Sequence, residues 1–174
     1  DPNTLVFAFT PVEDPSIYEK LFQPFMGYLT QCVGKKTMFF AVQSNSAQIE
    51  AMRSGRLHLA FFSTGTTNFA VNIAGAVPFA IRGTEKGPEG VSVQMIVRKD
   101  SPINSVDDML KNAKNLTFGN GDPNSTSGYL VPGYYVFAKN NVDAATAFKR
   151  TLNSSHEVNA LSVAKGQLDV ATFN

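Results

Sequence analysis

Short apolar runs alternate with amphipathic stretches along the first half of the chain. The apolar runs at residues 5–9, 36–42 and 57–64 predict buried strands. Between these strands, residues 17–34 and 45–56 carry apolar side chains at the spacing of one helix face. Strands that alternate with helices need crossover connections. The pattern therefore predicts an α/β structure in which a largely parallel sheet has helices on both faces.

The second half repeats this alternation after a connection rich in glycine and proline. Residues 76–81 and 91–98 are predicted strands, and residues 83–90 between them contain three glycines and Pro88. We therefore predict two lobes of the same α/β class, at residues 1–90 and 91–174. Because the last predicted strand reads as an internal one, we expect the chain to lack a C-terminal part. Beyond residue 100 the pattern predicts helices at 105–112 and 155–167 and strands at 115–120 and 168–174.

Composition and charge argue against several classes of function. The chain has 174 residues, of which 43% are hydrophobic, and 15 basic against 14 acidic side chains give a formal net charge of +1. A near-neutral chain without a basic run is not typical of nucleic-acid binding. Cys32 is the single cysteine, and His58 and His156 lie far apart in sequence, so we predict no metal site. No apolar run approaches the roughly 20 residues of a membrane span.

The most informative stretch is GNGDPNSTSGYLVPGYYVFAKNN, at residues 119–141. It places Ser125, Thr126 and Ser127, the Ser-Thr-Ser motif, between a Gly/Asp/Pro/Asn turn and an apolar run, which predicts a helix from the motif to about Lys139. Unpaired N–H groups and the macrodipole make a helix N-terminus favourable for anions, and hydroxyl groups add hydrogen-bond donors. Hydroxyl residues at a helix start are also ordinary N-caps. Both interpretations stand, and the Walker A pattern is absent.

Three segments of the second half resemble the phosphonate-binding proteins of bacterial ABC importers. They are KDSPINSVDDML, the stretch around the Ser-Thr-Ser motif, and FKRTLNSSHEVNALSVAKGQLDVAT. The resemblance is dense over residues 91–172 and looser over residues 5–79. It implies a two-lobed binding protein of the type II fold, exported with its signal removed and either periplasmic or anchored outside the cytoplasmic membrane. It also implies a phosphorus oxyanion as ligand, a membrane ABC permease as partner, and neither catalysis nor a cofactor.

The resemblance also implies which residues contact the ligand. The Ser-Thr-Ser motif would hold the phosphonate oxygens, and His156 at the start of HEVNAL would add a further contact. The family places tyrosines of the first lobe at positions that align here with Asn45 and Phe62, so two phenol donors are missing. The carboxylates with which the family holds a ligand amine align beyond residue 174. We therefore expect the anionic head group to dominate recognition.

The loop after the third predicted strand supplies further hydroxyl groups, STGTTN at residues 63–68. Ligands of open α/β sheets lie at the carboxyl ends of the strands, so this loop is a candidate to face the ligand. The same residue types are typical of a capped helix start, which is the favoured interpretation. The residues concerned are Ser63, Thr64, Thr66 and Thr67.

Two other functions fit some of these residues. A serine hydrolase would use Ser127 as nucleophile, His156 as base and Asp169 to orient the histidine. The GxSxG nucleophile elbow is absent, however, and a triad is recognised by its geometry. The remaining alternative is a truncated interaction domain that binds no small molecule.

Overall fold

The first unit of the chain, Asp1–Phe79, contains a three-stranded parallel sheet. A computed structural model describes residues 3–12 and 14–174. Strand order is β2-β1-β3, and β1 pairs in parallel with both neighbours, as the alternation of strands and helices predicts. The described elements are β1 (Thr4–Ala8), α1 (Pro15–Leu21), α2 (Gln23–Val33), β2 (Lys36–Phe39), α3 (Asn45–Arg53), β3 (Leu59–Ala60) and α4 (Thr64–Ala74).

Aromatic rings form much of the core of this unit. Phe7 on β1 is fully buried. Four other phenylalanine rings lie edge-on to it, with centroids 5.3–6.0 Å away. Edge-to-face pairs add to the free energy gained from burial, so these rings hold α2 and the loop after β3 against the sheet. The four rings are those of Phe22, Phe25, Phe39 and Phe61.

The predicted helix at residues 17–34 is two helices, which meet at Phe22. Pro24 lies in the first turn of α2. A proline ring clashes with the carbonyl group four residues before it, so a continuous helix through residue 24 is unfavourable. Proline is tolerated in a first turn, and a new helix therefore starts just before it. Asp14 caps α1 by accepting a hydrogen bond from the Ser16 N–H at 2.8 Å.

The second unit, Ala80–Asn174, contains a four-stranded sheet of order β6-β9-β7-β8. The strands β7, β8 and β9 are parallel, and β6 at the edge runs antiparallel to β9. The described elements are β4 (Gly83–Thr84), β5 (Gly87–Pro88), β6 (Gln94–Val97), α5 (Val106–Asn112), a 3-10 turn (Ala113–Asn115), β7 (Thr117–Asn120), the Ser-Thr-Ser helix (residues 126–140), α6 (Ala144–Ala147), β8 (Arg150–Asn153), α7 (His156–Ala164) and β9 (Val170–Phe173).

Both faces of this sheet are covered. Side chains of a strand alternate between faces, and β9 shows this directly. Val170 packs with Phe118 and Phe137 in the larger core cluster, whereas Ala171 packs with Val163 of α7. The Ser-Thr-Ser helix therefore lies on one face and α7 on the other. Of the helices among the described residues, none combines the length and hydropathy needed to cross a membrane.

The connection between the units differs from its prediction. Residues 76–82 form no strand, and the apolar side chains of Val77, Phe79 and Ile81 are exposed. This segment has the alternating apolar pattern of a strand, but it pairs with no strand among the described residues. Residues 83–88 form a hairpin of β4 and β5. This hairpin belongs to the second unit, because that unit begins at Ala80. A lobe boundary near residue 90 remains a prediction.

Candidate anion-binding site

A tight turn joins β7 to the Ser-Thr-Ser helix. The Gly121 N–H donates to the Gly128 carbonyl oxygen at 2.9 Å. A β-carbon on Gly121 would lie 2.5 Å from the Gly128 Cα atom, which is closer than two non-bonded carbon atoms can approach. The two glycines therefore let two backbone segments touch, and this contact sets where the helix begins.

Ser125 is the N-cap of the Ser-Thr-Ser helix. Its Oγ accepts a hydrogen bond from the Gly128 N–H at 3.1 Å, and its own N–H donates to the Asp122 carbonyl at 2.8 Å. Helical turns continue from Thr126 to Asn140, so the predicted helix from the motif to about Lys139 is confirmed. Capping occupies the Ser125 hydroxyl as an acceptor and leaves its O–H available as a donor.

Ser127 and His156 meet where two helices begin. The Ser127 Oγ lies 3.2 Å from the His156 Nε2, and the two side chains are 4% and 7% exposed. His156 is the first residue of α7, which Ser155 caps by accepting from the Val158 N–H. The two contacting side chains therefore belong to the first turns of two helices, where the helix dipole favours negative charge.

Burial favours the neutral form of His156 over the charged form. It lowers the pKa of the imidazole below its ordinary value, and a nearby backbone group of Thr172 offsets part of this effect. The Phe173 ring stands edge-on, 5.9 Å from the imidazole. Nδ1 is buried and makes no hydrogen bond of good geometry within the described residues. A neutral imidazole has one N–H donor. Rotation of the Ser127 hydroxyl group can form or break its hydrogen bond with the His156 Nε2.

The first-unit candidates follow strands β2 and β3. Asn45 is buried at the first position of α3, and Phe62 is half-buried just after β3. In the next loop Ser63 is the N-cap of α4, its Oγ lies 2.8 Å from the Thr66 Oγ1, and the Thr67 Oγ1 donates to the Ser63 carbonyl. Ser63 thus takes the N-cap position that the capping interpretation predicts, but neither of these hydroxyl contacts is a capping hydrogen bond from a backbone N–H.

The triad of the hydrolase alternative is not formed. The Asp169 Oδ2 accepts hydrogen bonds from both the N–H and the Oγ1 of Thr117, each at 2.7 Å. These bonds tie the start of β9 to the start of β7. The carboxylate is therefore engaged in holding the sheet together, and Ser127 and His156 form a pair without it.

Sequence reasoning missed two buried polar residues behind the site. Asn159, three residues after His156 on α7, and Thr172 on β9 are both fully buried. Each interrupts an otherwise apolar face. A polar residue at such a position is the sequence signal for a buried side chain that is hydrogen-bonded to a specific partner.

The family model and the curated relatives show the family of the chain. Residues 7–174 match the family described as ABC transporter, phosphonate, periplasmic substrate-binding protein. The phosphonates-binding periplasmic protein of Escherichia coli is 44% identical over 170 residues, which cover 98% of this chain and 50% of that protein.

Solved structures show the same fold. A binding-protein component of an ABC phosphonate transporter from Pseudomonas aeruginosa is 48% identical, with a TM-score of 0.94 over 100% of this chain and 58% of that one. PhnD1 from Prochlorococcus marinus, solved in complex with methylphosphonate, is 24% identical with a TM-score of 0.76, over 100% of this chain and 64% of that one. This chain thus spans between half and two thirds of the length of each relative. It belongs to the family of phosphonate-binding periplasmic substrate-binding proteins of ABC transporters.

Proposed function

We propose that the chain binds the head group of a phosphonate, or of a related phosphorus oxyanion, at the Ser-Thr-Ser motif and His156. The observation that carries this proposal is the buried contact of 3.2 Å between the Ser127 Oγ and the His156 Nε2. It brings two donor side chains together at the N-termini of two helices, which is a favourable place for an anion.

Hydrogen-bond donors suffice for this task without a basic side chain. A phosphonate head group presents three oxygens, and hydrogen bonds to an ionised acceptor are about twice as strong as neutral ones. The sequence between residues 115 and 138 contains no Lys or Arg. The site therefore offers hydroxyl and imidazole donors together with the positive ends of two helices. Such groups select an anion by geometry and need no neutralising charge.

The first unit supplies two further contacts under this proposal. Asn45 has an amide group that both donates and accepts, and Phe62 has an apolar ring. We assign Asn45 to a ligand oxygen and Phe62 to the organic substituent. The two units would close on the ligand by a hinge in the connection at residues 83–90, as two-lobed binding proteins do. The closed form would be recognised by an ABC permease, and the chain would work in the periplasm.

Titration calorimetry with methylphosphonate and with inorganic phosphate tests the proposal. Each lost hydrogen bond to an ionised acceptor is worth about 1.5–3 kcal/mol, so Ser125→Ala, Thr126→Ala and His156→Ala should each raise Kd by about tenfold to a hundredfold. Ser105→Ala is the matched control, because Ser105 caps α5 in the same unit by accepting from the Asp108 N–H at 3.0 Å. It removes an equivalent cap and should leave Kd unchanged.

Two results would contradict the proposal. Equal affinity in Thr126→Ala, His156→Ala and the parent chain would place the site elsewhere. A folded parent chain that binds neither anion would favour the interaction-domain alternative.

A further inference from the structure

Asn159 ties α7 to the ends of two strands. Its side chain is fully buried, and its Nδ2 lies 3.2–3.4 Å from the carbonyl oxygens of Gly119, Asn120 and Thr172. A β-carbon on Gly119 would lie 2.7 Å from the Asn159 Oδ1, so this position of the amide requires a glycine on β7. One amide thus joins the helix that begins with His156 to the strand end that leads into the Ser-Thr-Ser helix.

Thr172 makes the complementary contact on the other face of the sheet. Its Oγ1 donates to the Gly128 carbonyl oxygen at 2.8 Å, and the side chain is fully buried. Gly128 directly follows Ser127, and the same carbonyl accepts from the Gly121 N–H. The first turn of the Ser-Thr-Ser helix is therefore bonded to β9, whose next residue, Phe173, packs against His156.

These contacts form one chain of hydrogen bonds from α7 to the Ser-Thr-Ser helix. It runs from the Asn159 Nδ2 to the Thr172 carbonyl, and from the Thr172 Oγ1 to the Gly128 carbonyl. We infer that Asn159 and Thr172 are positioning residues, which hold His156 and Ser127 at the separation that the anion requires. This inference rests on the proposed function.

The physical reason is that two rigid elements must present donors to the same few oxygens. Ser127 and His156 are 29 residues apart and lie on different helices, so sequence proximity does not fix their separation. Buried hydrogen bonds resist displacement, because an unpaired polar group in the interior costs free energy. Donors held in place before the ligand arrives lose less conformational entropy on binding.

A double-mutant cycle separates positioning from a general structural role. Thr172→Val keeps the shape of the side chain and removes its hydroxyl group, and it should raise the Kd for methylphosphonate by about tenfold, or about 1.4 kcal/mol. Thr172→Ser keeps the hydroxyl and should bind within about threefold of the parent, about 0.7 kcal/mol by the same relation. If Thr172 acts through Ser127, Thr172→Val should have little further effect in a Ser127→Ala background, because the two substitutions remove the same interaction.

Val163→Ala is the control for lost stability. Val163 lies on α7 in the cluster with Leu168 and Ala171, so its truncation leaves a cavity without removing a hydrogen bond of the site. It should lower the melting temperature and leave Kd unchanged. If Thr172→Val does not fold, Asn159→Leu takes its place in the cycle, since it has nearly the same shape and removes both amide donors without adding a charge.

The outcomes are distinct for the inference and for the proposed function. Additive effects of Thr172→Val and Ser127→Ala, or a loss of affinity in Thr172→Ser equal to that in Thr172→Val, would overturn the inference. A parent chain that fails to bind methylphosphonate would instead overturn the proposed function.

Discussion

At the scale of single residues, the proposed site depends on one buried histidine that has no carboxylate partner among residues 3–12 and 14–174. In the hydrolase arrangement an acidic side chain would stabilise the imidazolium. Here Asp169 is bonded to Thr117, and burial favours neutral His156 by lowering its pKa. This pair of a hydroxyl group and an imidazole therefore fits the proposed role of donating hydrogen bonds to an oxyanion.

The lowered pKa predicts how stability depends on pH. The unfolded chain binds a proton to this histidine near its ordinary pKa of 6.5, whereas the folded chain binds it at lower pH. Between these two values the unfolded state holds more protons, so the free energy of unfolding should fall as pH decreases below about 6.5 and should level off below the folded pKa. Urea unfolding of the parent and of His156→Gln between pH 7.5 and 4.5 measures this, and the difference between the two curves isolates His156. A constant difference across that range would contradict the prediction.

At the scale of elements, the Ser-Thr-Ser helix has an unusual backbone. It contains π-helical turns at Thr126–Leu130 and Gly133–Phe137, with Pro132 between them. Proline has no N–H group to donate to the preceding turn, which favours a locally altered hydrogen-bond pattern. Such turns are rare and frequently occur at functional sites. Only its N-terminal end, where Gly121 and Gly128 touch, belongs to the proposed site.

Two glycine substitutions on this helix should have opposite effects. A β-carbon on Gly128 would lie 2.9 Å from the Gly121 Cα and 3.3 Å from the His156 Cε1, whereas one on Gly133 would meet nothing within 4 Å. Gly128→Ala should therefore lower the free energy of unfolding by about 1–3 kcal/mol and weaken anion binding. Gly133→Ala should raise the free energy of unfolding by up to about 1 kcal/mol and leave Kd unchanged, because alanine favours the helix. Denaturant unfolding and calorimetry check both, and a neutral Gly128→Ala would show that the close backbone contact is not needed.

At the scale of the whole molecule, the proposed function draws candidate residues from both α/β units. The second unit provides the Ser-Thr-Ser motif and His156, and the first provides the candidates Asn45 and Phe62. Neither first-unit candidate carries a charge. The second-unit side chains can all donate hydrogen bonds to the oxygens of an anion. We therefore expect the proposed ligand to be recognised through its head group, with little selection for a cationic substituent.

These uncharged candidate contacts predict the selectivity of the chain. A tetrahedral head group with three or four oxygens satisfies more of these donors than a planar carboxylate with two, so methylphosphonate, phosphite and phosphate should bind more tightly than acetate. An amine should contribute little, because Asn45 and Phe62 offer no carboxylate to pair with it. Calorimetry with 2-aminoethylphosphonate and ethylphosphonate, which differ in the amine, tests this second expectation. A large preference for the aminophosphonate would mean that a carboxylate elsewhere takes part.

The sequence by itself determined the α/β class, the parallel pairing in both units and the helix that begins at the Ser-Thr-Ser motif. These features depend on the local periodicity of apolar residues and on the residue types at turns, and both can be read directly from the sequence. The same local rules failed where partners were distant or absent. Residues 76–81 have the pattern of a strand and form none, and the proline at residue 24 divides a helix that periodicity alone makes continuous.

Tertiary structure alone decided which side chains meet. Ser127 and His156 lie on two helices, and Asp169, which fits a triad by residue type, is bonded instead to Thr117. Asn159 and Thr172 make their contacts because the neighbouring parallel strands β7 and β9 end side by side, where backbone carbonyl groups need donors. Hydrogen bonds between residues far apart in the chain depend on the positions of whole elements, and a local pattern carries no record of those positions.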